Sequence, residues 1–309
     1  MSEALAEAER PPLPDPVQAA FPFEPRFLDV PGGRLAYIDE GPRDALPVVC
    51  VHGNPTWSFY WRALVAGLRD RCRVVALDHL GCGRSDKPQR GFDYRLASHG
   101  DNLRRLLDHL DLSPSVFAVH DWGGAIGMRV ATLEPERAAG FVVSNTAAFR
   151  SLRIPPSIAM CKIPGLGELA VRGLNGFARA ALVGATEKGL DATTKAGLLY
   201  PYDSWQHRIA VHRFVTDIPL HPGHPSWSTL VEIDEGLARL ADRPMRILWG
   251  DADFCFGPPF RREWSRRFPD AEVSAWPDVG HYVMEDAPDR VLDATRAFLS
   301  PLLRRRGEA

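Results

Sequence analysis

No uninterrupted apolar run in the 309 residues approaches the roughly 20 needed to cross a bilayer, so a membrane-spanning helix is not expected. There is no basic excess either: 37 Lys and Arg stand against 39 Asp and Glu, a formal charge of −2. That balance gives no electrostatic footprint for nucleic acid or an anionic surface, and Arg304-Arg305-Arg306 reads as a solvated helix end. Cysteine is sparse, with five scattered residues and no Cys-x-x-Cys, which argues against a disulfide framework and for a reducing cytoplasm. The segment Met1 to Arg10 is acidic and Ala-rich and lacks the basic-then-apolar order of a secretion signal. Internal repeats and low-complexity stretches are also missing. What remains is a chain 45% hydrophobic, enough to bury a large core.

Short apolar runs recur in strand-like lengths. Residues 26–30 and 34–39 flank Pro31-Gly32-Gly33 as a hairpin. Runs at 47–51 and 73–77 read as buried parallel strands, and those at 116–119, 141–144, 245–249 and 272–276 as further strands. Helical stretches are expected between them at 58–69, 94–110, 125–133, 230–240 and 260–268, with a last one at 287–303. Strand and helix in alternation imply an α/β protein with a mainly parallel sheet covered on both faces. The rhythm fails from about 146 to 228, where Pro- and Gly-punctuated helical pieces such as 168–183 suggest an inserted lid. Residues 1–25 are expected to form an irregular arm. The domain reading is therefore an arm (1–25), a core (26–145 and 229–309) and a helical cap (146–228).

In such a sheet chemistry collects at the carboxyl ends of strands. Asp121 follows the 116–119 strand, Asp253 the 245–249 strand, and His281 the last strand, in the order nucleophile, acid, histidine. A strand that turns sharply into a helix presents Asp121 at a helix N-terminus, where an anion is favoured, and Gly123 and Gly124 leave room for the close backbone contact. An ionised carboxylate there needs no base to activate it. His281 is the candidate base that resolves the covalent product, and Asp253 the group that fixes its tautomer, with Asp251 as a rival two residues earlier. The indole N–H of Trp122 and the amide of Asn54 are candidate donors to a departing anion. The histidines at 207, 212, 221 and 224 match no metal-ligand spacing, and neither metal nor cofactor is expected. Leu166, Leu169, Leu174, Phe177, Ala181 and Leu182 are candidates to line an alkyl channel in the cap.

The stretches His52-Gly53-Asn54-Pro55-Thr56-Trp57 and Val119-His120-Asp121-Trp122-Gly123-Gly124 resemble the haloalkane dehalogenase branch of the α/β-hydrolases, over about residues 27–299. That resemblance implies an eight-stranded, mostly parallel sheet with a helical cap, Asp121 as nucleophile, His281 as base, and Asn54 and Trp122 as donors to the anion. Residue 145 is asparagine, so the acid falls to Asp253. Asn145-Thr146-Ala147-Ala148-Phe149, Pro201-Tyr202-Asp203-Ser204-Trp205 and Gly280-His281-Tyr282-Val283-Met284-Glu285-Asp286 are similar to one subgroup, the β-lactone decarboxylases of bacterial long-chain olefin synthesis. The subgroup implies conversion of a cis-3,4-dialkyl β-lactone to a cis-alkene and carbon dioxide. It also implies an apolar long-chain substrate, with a condensing enzyme, a β-lactone synthetase and a reductase as candidate partners. Three other readings stay open: a haloalkane dehalogenase, an epoxide hydrolase using Tyr200 and Tyr202, and a catalytically silent binding scaffold.

Overall fold

The computed structural model describes residues 12–307. Eight strands form one sheet in the order β1-β2-β4-β3-β5-β6-β7-β8. They are β1 (Arg26–Val30), β2 (Gly33–Glu40), β3 (Pro47–Val51), β4 (Arg73–Leu77), β5 (Ser115–Asp121), β6 (Ala138–Thr146), β7 (Met245–Gly250) and β8 (Glu272–Trp276). β1 pairs with β2, and β2 with β4, antiparallel; every other pairing is parallel.

The two faces of the sheet follow the two-residue period of the strands. Val49, Val75, Phe117, Val119 and Ile247 point into one apolar layer, which they share with Leu103 and Leu107 of α3 (Leu96–Leu110) and Ile126 and Val130 of α4 (Trp122–Leu133). Val48, Cys50, Val74, Val116 and Leu248 point the other way, onto Leu64 and Leu68 of the helix Arg62–Leu68 and Val291 and Leu299 of the helix Pro288–Arg306. Burial on both faces explains why these strands are continuous apolar runs rather than alternating ones.

β4 lies on one side of β3 and β5 on the other, so the chain changes direction across the sheet there. Loops leaving the carboxyl ends of β3 and β5 diverge at such a point and leave a crevice between them.

The expected arm divides. Residues 1–11 lie outside the described part, and within residues 12–25 Asp15–Ala20 is a helix that follows Pro14, with irregular chain on either side. Val17, Phe21 and Phe23 from this stretch are buried in the second layer, with Phe21 edge-on to Trp57 at 5.3 Å between ring centroids. Phe21→Ala is expected to cost about 3–5 kcal/mol of unfolding free energy, read from urea denaturation, because it opens a cavity the size of a ring. A decorative arm would give a change within about 0.5 kcal/mol.

α3 begins two residues later than expected. Tyr94 adopts φ 56, outside the helical region, and Asp217 accepts the Leu96 N–H at 2.8 Å. Between β6 and the helix Trp227–Gly236 the described residues hold helical pieces and no strand. The helix expected over 168–183 is broken, since Asn175 sits at φ 54 between the segments Leu169–Gly173 and Gly176–Gly184.

Candidate active site

β5 runs without a loop into α4, and the residue that absorbs the change of direction is Asp121, at φ 52 and ψ −128. A non-glycine residue in that region is strained, and the surroundings hold it there. A Cβ at Gly123 would lie 2.0 Å from the Val51 carbonyl oxygen, and one at Gly124 would lie 1.9 Å from Thr146 Oγ1. The paired glycines are thus required by how closely α4 abuts β3 and β6.

The Asp121 carboxylate is 8% exposed. Its Oδ1 accepts the backbone N–H of Asn54 at 2.7 Å, and the backbone N–H of Trp122 also bonds it. Burial lifts its pKa above the ordinary carboxylate value, against the pull of His281 and those two N–H groups. The donors come from the loop after β3 and the first turn of α4, the two edges of the crevice.

His281 Nε2 stands 3.7 Å from Asp121 Oδ2. Its Nδ1 donates to Asp253 Oδ2 at 2.8 Å, which fixes the tautomer. Burial works against a charged imidazole, but Asp253 and then Asp121 outweigh it, and the His281 pKa is raised from 6.5. His120, one residue before Asp121, donates Nε2–H to the His281 carbonyl at 2.8 Å and so anchors the backbone at His281. Burial lowers the His120 pKa well below that of a free imidazole and keeps it neutral.

Asp253, not Asp251, reaches the histidine. Asp251 is held in a two-pronged pair with Arg261, at 2.9 Å on both oxygens. Asp253 also accepts the Cys255 N–H at 2.6 Å and the Asn145 Nδ2–H at 2.8 Å. Sequence reasoning assigned Asn145 no role. Its side chain ties β6 to β7, donating to the Gly250 carbonyl at 2.9 Å and accepting the Gly250 N–H at 2.8 Å, and it aims Asp253. The available signal was an asparagine at a strand end where an acid is expected; here it sits at φ 33.

Asn54, Asp121 and Trp122 line one cavity that opens to solvent. Its other polar lining residues are Ser151 and Arg153, and the rest of the wall is apolar. Asn54 Nδ2 donates one hydrogen to the Val211 carbonyl at 3.1 Å, which orients the amide and leaves its second N–H uncommitted to that bond. The Trp122 ring packs on Phe214 at 5.3 Å.

Two expectations need correcting. Of the six cap residues proposed for an alkyl channel, only Phe177 lines this cavity. Leu166, Leu169 and Leu174 are more than half exposed, and Ala181 and Leu182 pack on the second apolar layer. The tyrosines that would polarise an epoxide are also outside the lining: Tyr202 is buried with its hydroxyl donating to the Thr56 carbonyl at 3.3 Å, and Tyr200 packs against Trp57.

With a carboxylate on a strained strand-to-helix turn and a histidine and acid on later strand ends, the chain belongs to the α/β-hydrolase-fold family, whose model matches residues 47–288. Within it, the chain is 42% identical to a cis-3-alkyl-4-alkyloxetan-2-one decarboxylase of Xanthomonas campestris, over 90% of this chain and 97% of that one. It is 33% identical to haloalkane dehalogenase 2 of Mycobacterium tuberculosis, over 91% and 96%. The fold is shared with the crystal structure of the haloalkane dehalogenase DbeA from Bradyrhizobium elkani, at a TM-score of 0.82, 23% identity and coverage of 91% and 98%.

Proposed function

We propose that this chain decarboxylates a cis-3,4-dialkyl β-lactone to a cis-alkene and carbon dioxide, as the final step of long-chain olefin formation, with Asp121 as covalent nucleophile. The similarity to the Xanthomonas decarboxylase across nearly the whole of both chains carries this reading. The apolar cavity, whose one carboxylate is Asp121, supports it from the side of chemistry. A strained lactone bearing two alkyl chains fits a pocket that solvates hydrocarbon well and charge poorly.

The reaction balances without water or an external proton. Asp121 attacks the ring carbon that bears oxygen, on the face opposite that bond. The C–O bond breaks, and the substrate carboxylate so formed meets the Asn54 amide and the Trp122 indole N–H. Inversion sets this carboxylate anti to the new Asp121 ester. The electrons of the bond to carbon dioxide then form the double bond and expel Asp121, which recovers its charge beside the Asn54 and Trp122 backbone N–H groups. One inversion followed by anti elimination keeps the two alkyl groups cis. The departing carboxylate has left water for an apolar wall, and the charge returns to prearranged donors at a helix start.

His281 then has to avoid activating water. As an imidazolium it donates toward the developing carboxylate and cannot serve as a base; as a neutral imidazole it can deliver water to the Asp121 ester and release a β-hydroxy acid. Because the Asp253 and Asp121 charges raise its pKa from 6.5, the protonated form dominates on the acid side of that raised value. Alkene is therefore expected to prevail at mildly acidic to neutral pH, with a growing share of β-hydroxy acid as the pH rises. Quantifying both products by gas chromatography and mass spectrometry across pH tests this, and a pH-invariant ratio refutes it.

The rival reading, a haloalkane dehalogenase, draws on the Mycobacterium relative. Purified protein is given a cis-dialkyl β-lactone and, separately, 1,2-dibromoethane. Alkene from the first without bromide from the second is expected; bromide without alkene overturns the proposal.

A further inference from the structure

Every residue between Leu152 and Gly184 that the structure leaves exposed is apolar, Gly, Pro, Ser or Arg; none is a carboxylate. Large side chains stand out of this surface, with Leu152 at 73%, Leu174 at 68%, Leu166 at 60%, Met160 at 59% and Leu169 at 56% exposure. The backbone beneath is small: Leu169 and Trp205 both border Gly173, where an added Cβ would lie 2.9 and 3.6 Å from them. The acid of the segment, Glu168, is taken up by Arg172, which also lies under the Trp205 ring at 4.6 Å. Arg153 and Arg179 are exposed and stand in no ion pair among the described residues. A chain of net charge −2 thus carries one face that is apolar and cationic, on which Glu168 is paired with Arg172 and, at the edge by Trp205, Asp203 is paired with His207.

The same segment forms part of the cavity wall, through Ile154, Pro155, Ile158 and Phe177. Arg153 is both exposed and in the lining, which puts the rim of the cavity at the edge of this face.

We propose that the face formed by residues 152–184 docks on an anionic lipid bilayer and brings the cavity rim to the membrane surface, so that a lipophilic substrate enters from the bilayer. Protruding aliphatic side chains insert among acyl chains, Trp205 and the arginines sit at headgroup level, and the pairing of Glu168 with Arg172 reduces the repulsion an anionic surface would impose. Contiguous apolar surface of this kind is uncommon on a soluble monomer. A folded protein partner would be met by grooves and paired charges, whereas this face offers single protruding side chains and unpaired cations. The route of substrate entry rests on the proposed function; the docking does not.

The test is flotation of the full chain with phosphatidylcholine vesicles, with and without phosphatidylglycerol, at low and high salt. Binding is expected to the phosphatidylglycerol vesicles, weaker at high salt, with Trp205 emission shifted to the blue. L166E/L169E is expected to lower the bound fraction about tenfold or more, while turnover of a short-chain lactone in free solution stays the same. L152E/L174E is a second pair on the same face, and thermal melts followed by circular dichroism identify any variant that fails to fold. No flotation, or equal flotation of folded variants, overturns the proposal. So does light scattering that finds a dimer of the parent chain dissolved by L166E/L169E, since the face would then be a contact between copies. Flotation without any lactone turnover would keep the docking and defeat the proposed function instead.

Discussion

Asp121→Asn is expected to lower alkene formation by about 10⁴-fold or more, with the fold intact and the lactone still bound. The amide keeps an oxygen for the Asn54 N–H but has no negative charge with which to open the ring. Binding survives because the cavity wall is unchanged. A scaffold that only holds its ligand would be indifferent to the substitution, and so would a hydrolase that used another nucleophile. Acid quench of the parent enzyme during turnover, followed by peptide mass spectrometry, should find the ring-opened substrate attached at residue 121; its absence from every quench would defeat the covalent step.

The same substitution has a second readout. Burial raises the folded-state pKa of Asp121 above its unfolded value, so the fold favours the protonated form. The stability that this favour provides is complete below the unfolded pKa and is lost as pH rises through the folded one. At neutral pH the ionised carboxylate is therefore a burden on the fold, and Asp121→Asn should unfold at higher urea than the parent. That advantage should shrink as the pH falls into the ordinary carboxylate range. Loss of activity with gain of stability separates a nucleophile held under strain from a residue that merely caps a helix, whose removal would destabilise.

The core was legible because its strands are buried on both faces and therefore carry dense apolar runs, and because the turn at Asp121 demands small residues that show in the sequence as Gly123-Gly124. Less was legible where a contact depends on the path of a distant segment. The helix at Asp15–Ala20 is too short to declare itself by period, and Phe21 is core only because Trp57 and Phe59 lie over it. Apolar residues of the cap could not be sorted into inward and outward sets, since Asn175 breaks the helix and resets its phase. The helix start at Asp121 pointed to backbone N–H groups such as that of Trp122, but the Asn54 N–H comes from the loop after β3, and a backbone group is one that every residue but proline possesses and no sequence advertises. Asp251 and Asp253 differ only in which way the loop after β7 turns. Arg261 and Asn145, 10 and 108 positions from their respective partners, decide it.

That choice can be tested by its energetic consequences. Asp253→Asn is expected to lower kcat about 10³-fold, and Asp251→Asn to change it by less than about threefold. In the first variant a neutral amide replaces the carboxylate whose Oδ2 accepts from both Asn145 Nδ2 and His281 Nδ1 and whose Oδ1 accepts from the Cys255 N–H. Whichever way that amide turns, it withdraws the charge that sustains the imidazolium. The His281 pKa should fall accordingly, and the pH at which β-hydroxy acid replaces alkene should fall with it. Stability should follow the same sign. A histidine with a raised folded-state pKa stabilises the fold fully below its unfolded value of 6.5 and loses that contribution as pH rises through the folded value. Asp253→Asn should therefore be most destabilised on the acid side, where a buried imidazolium has lost its counter-ion. Asp251→Asn removes a partly exposed pair with Arg261, worth about 1 kcal/mol or less, and leaves the product ratio where it was. If the two variants exchanged these behaviours, the hydrogen bond between His281 and Asp253 would be a bystander, and the loop after β7 would have to rearrange before the chemistry begins.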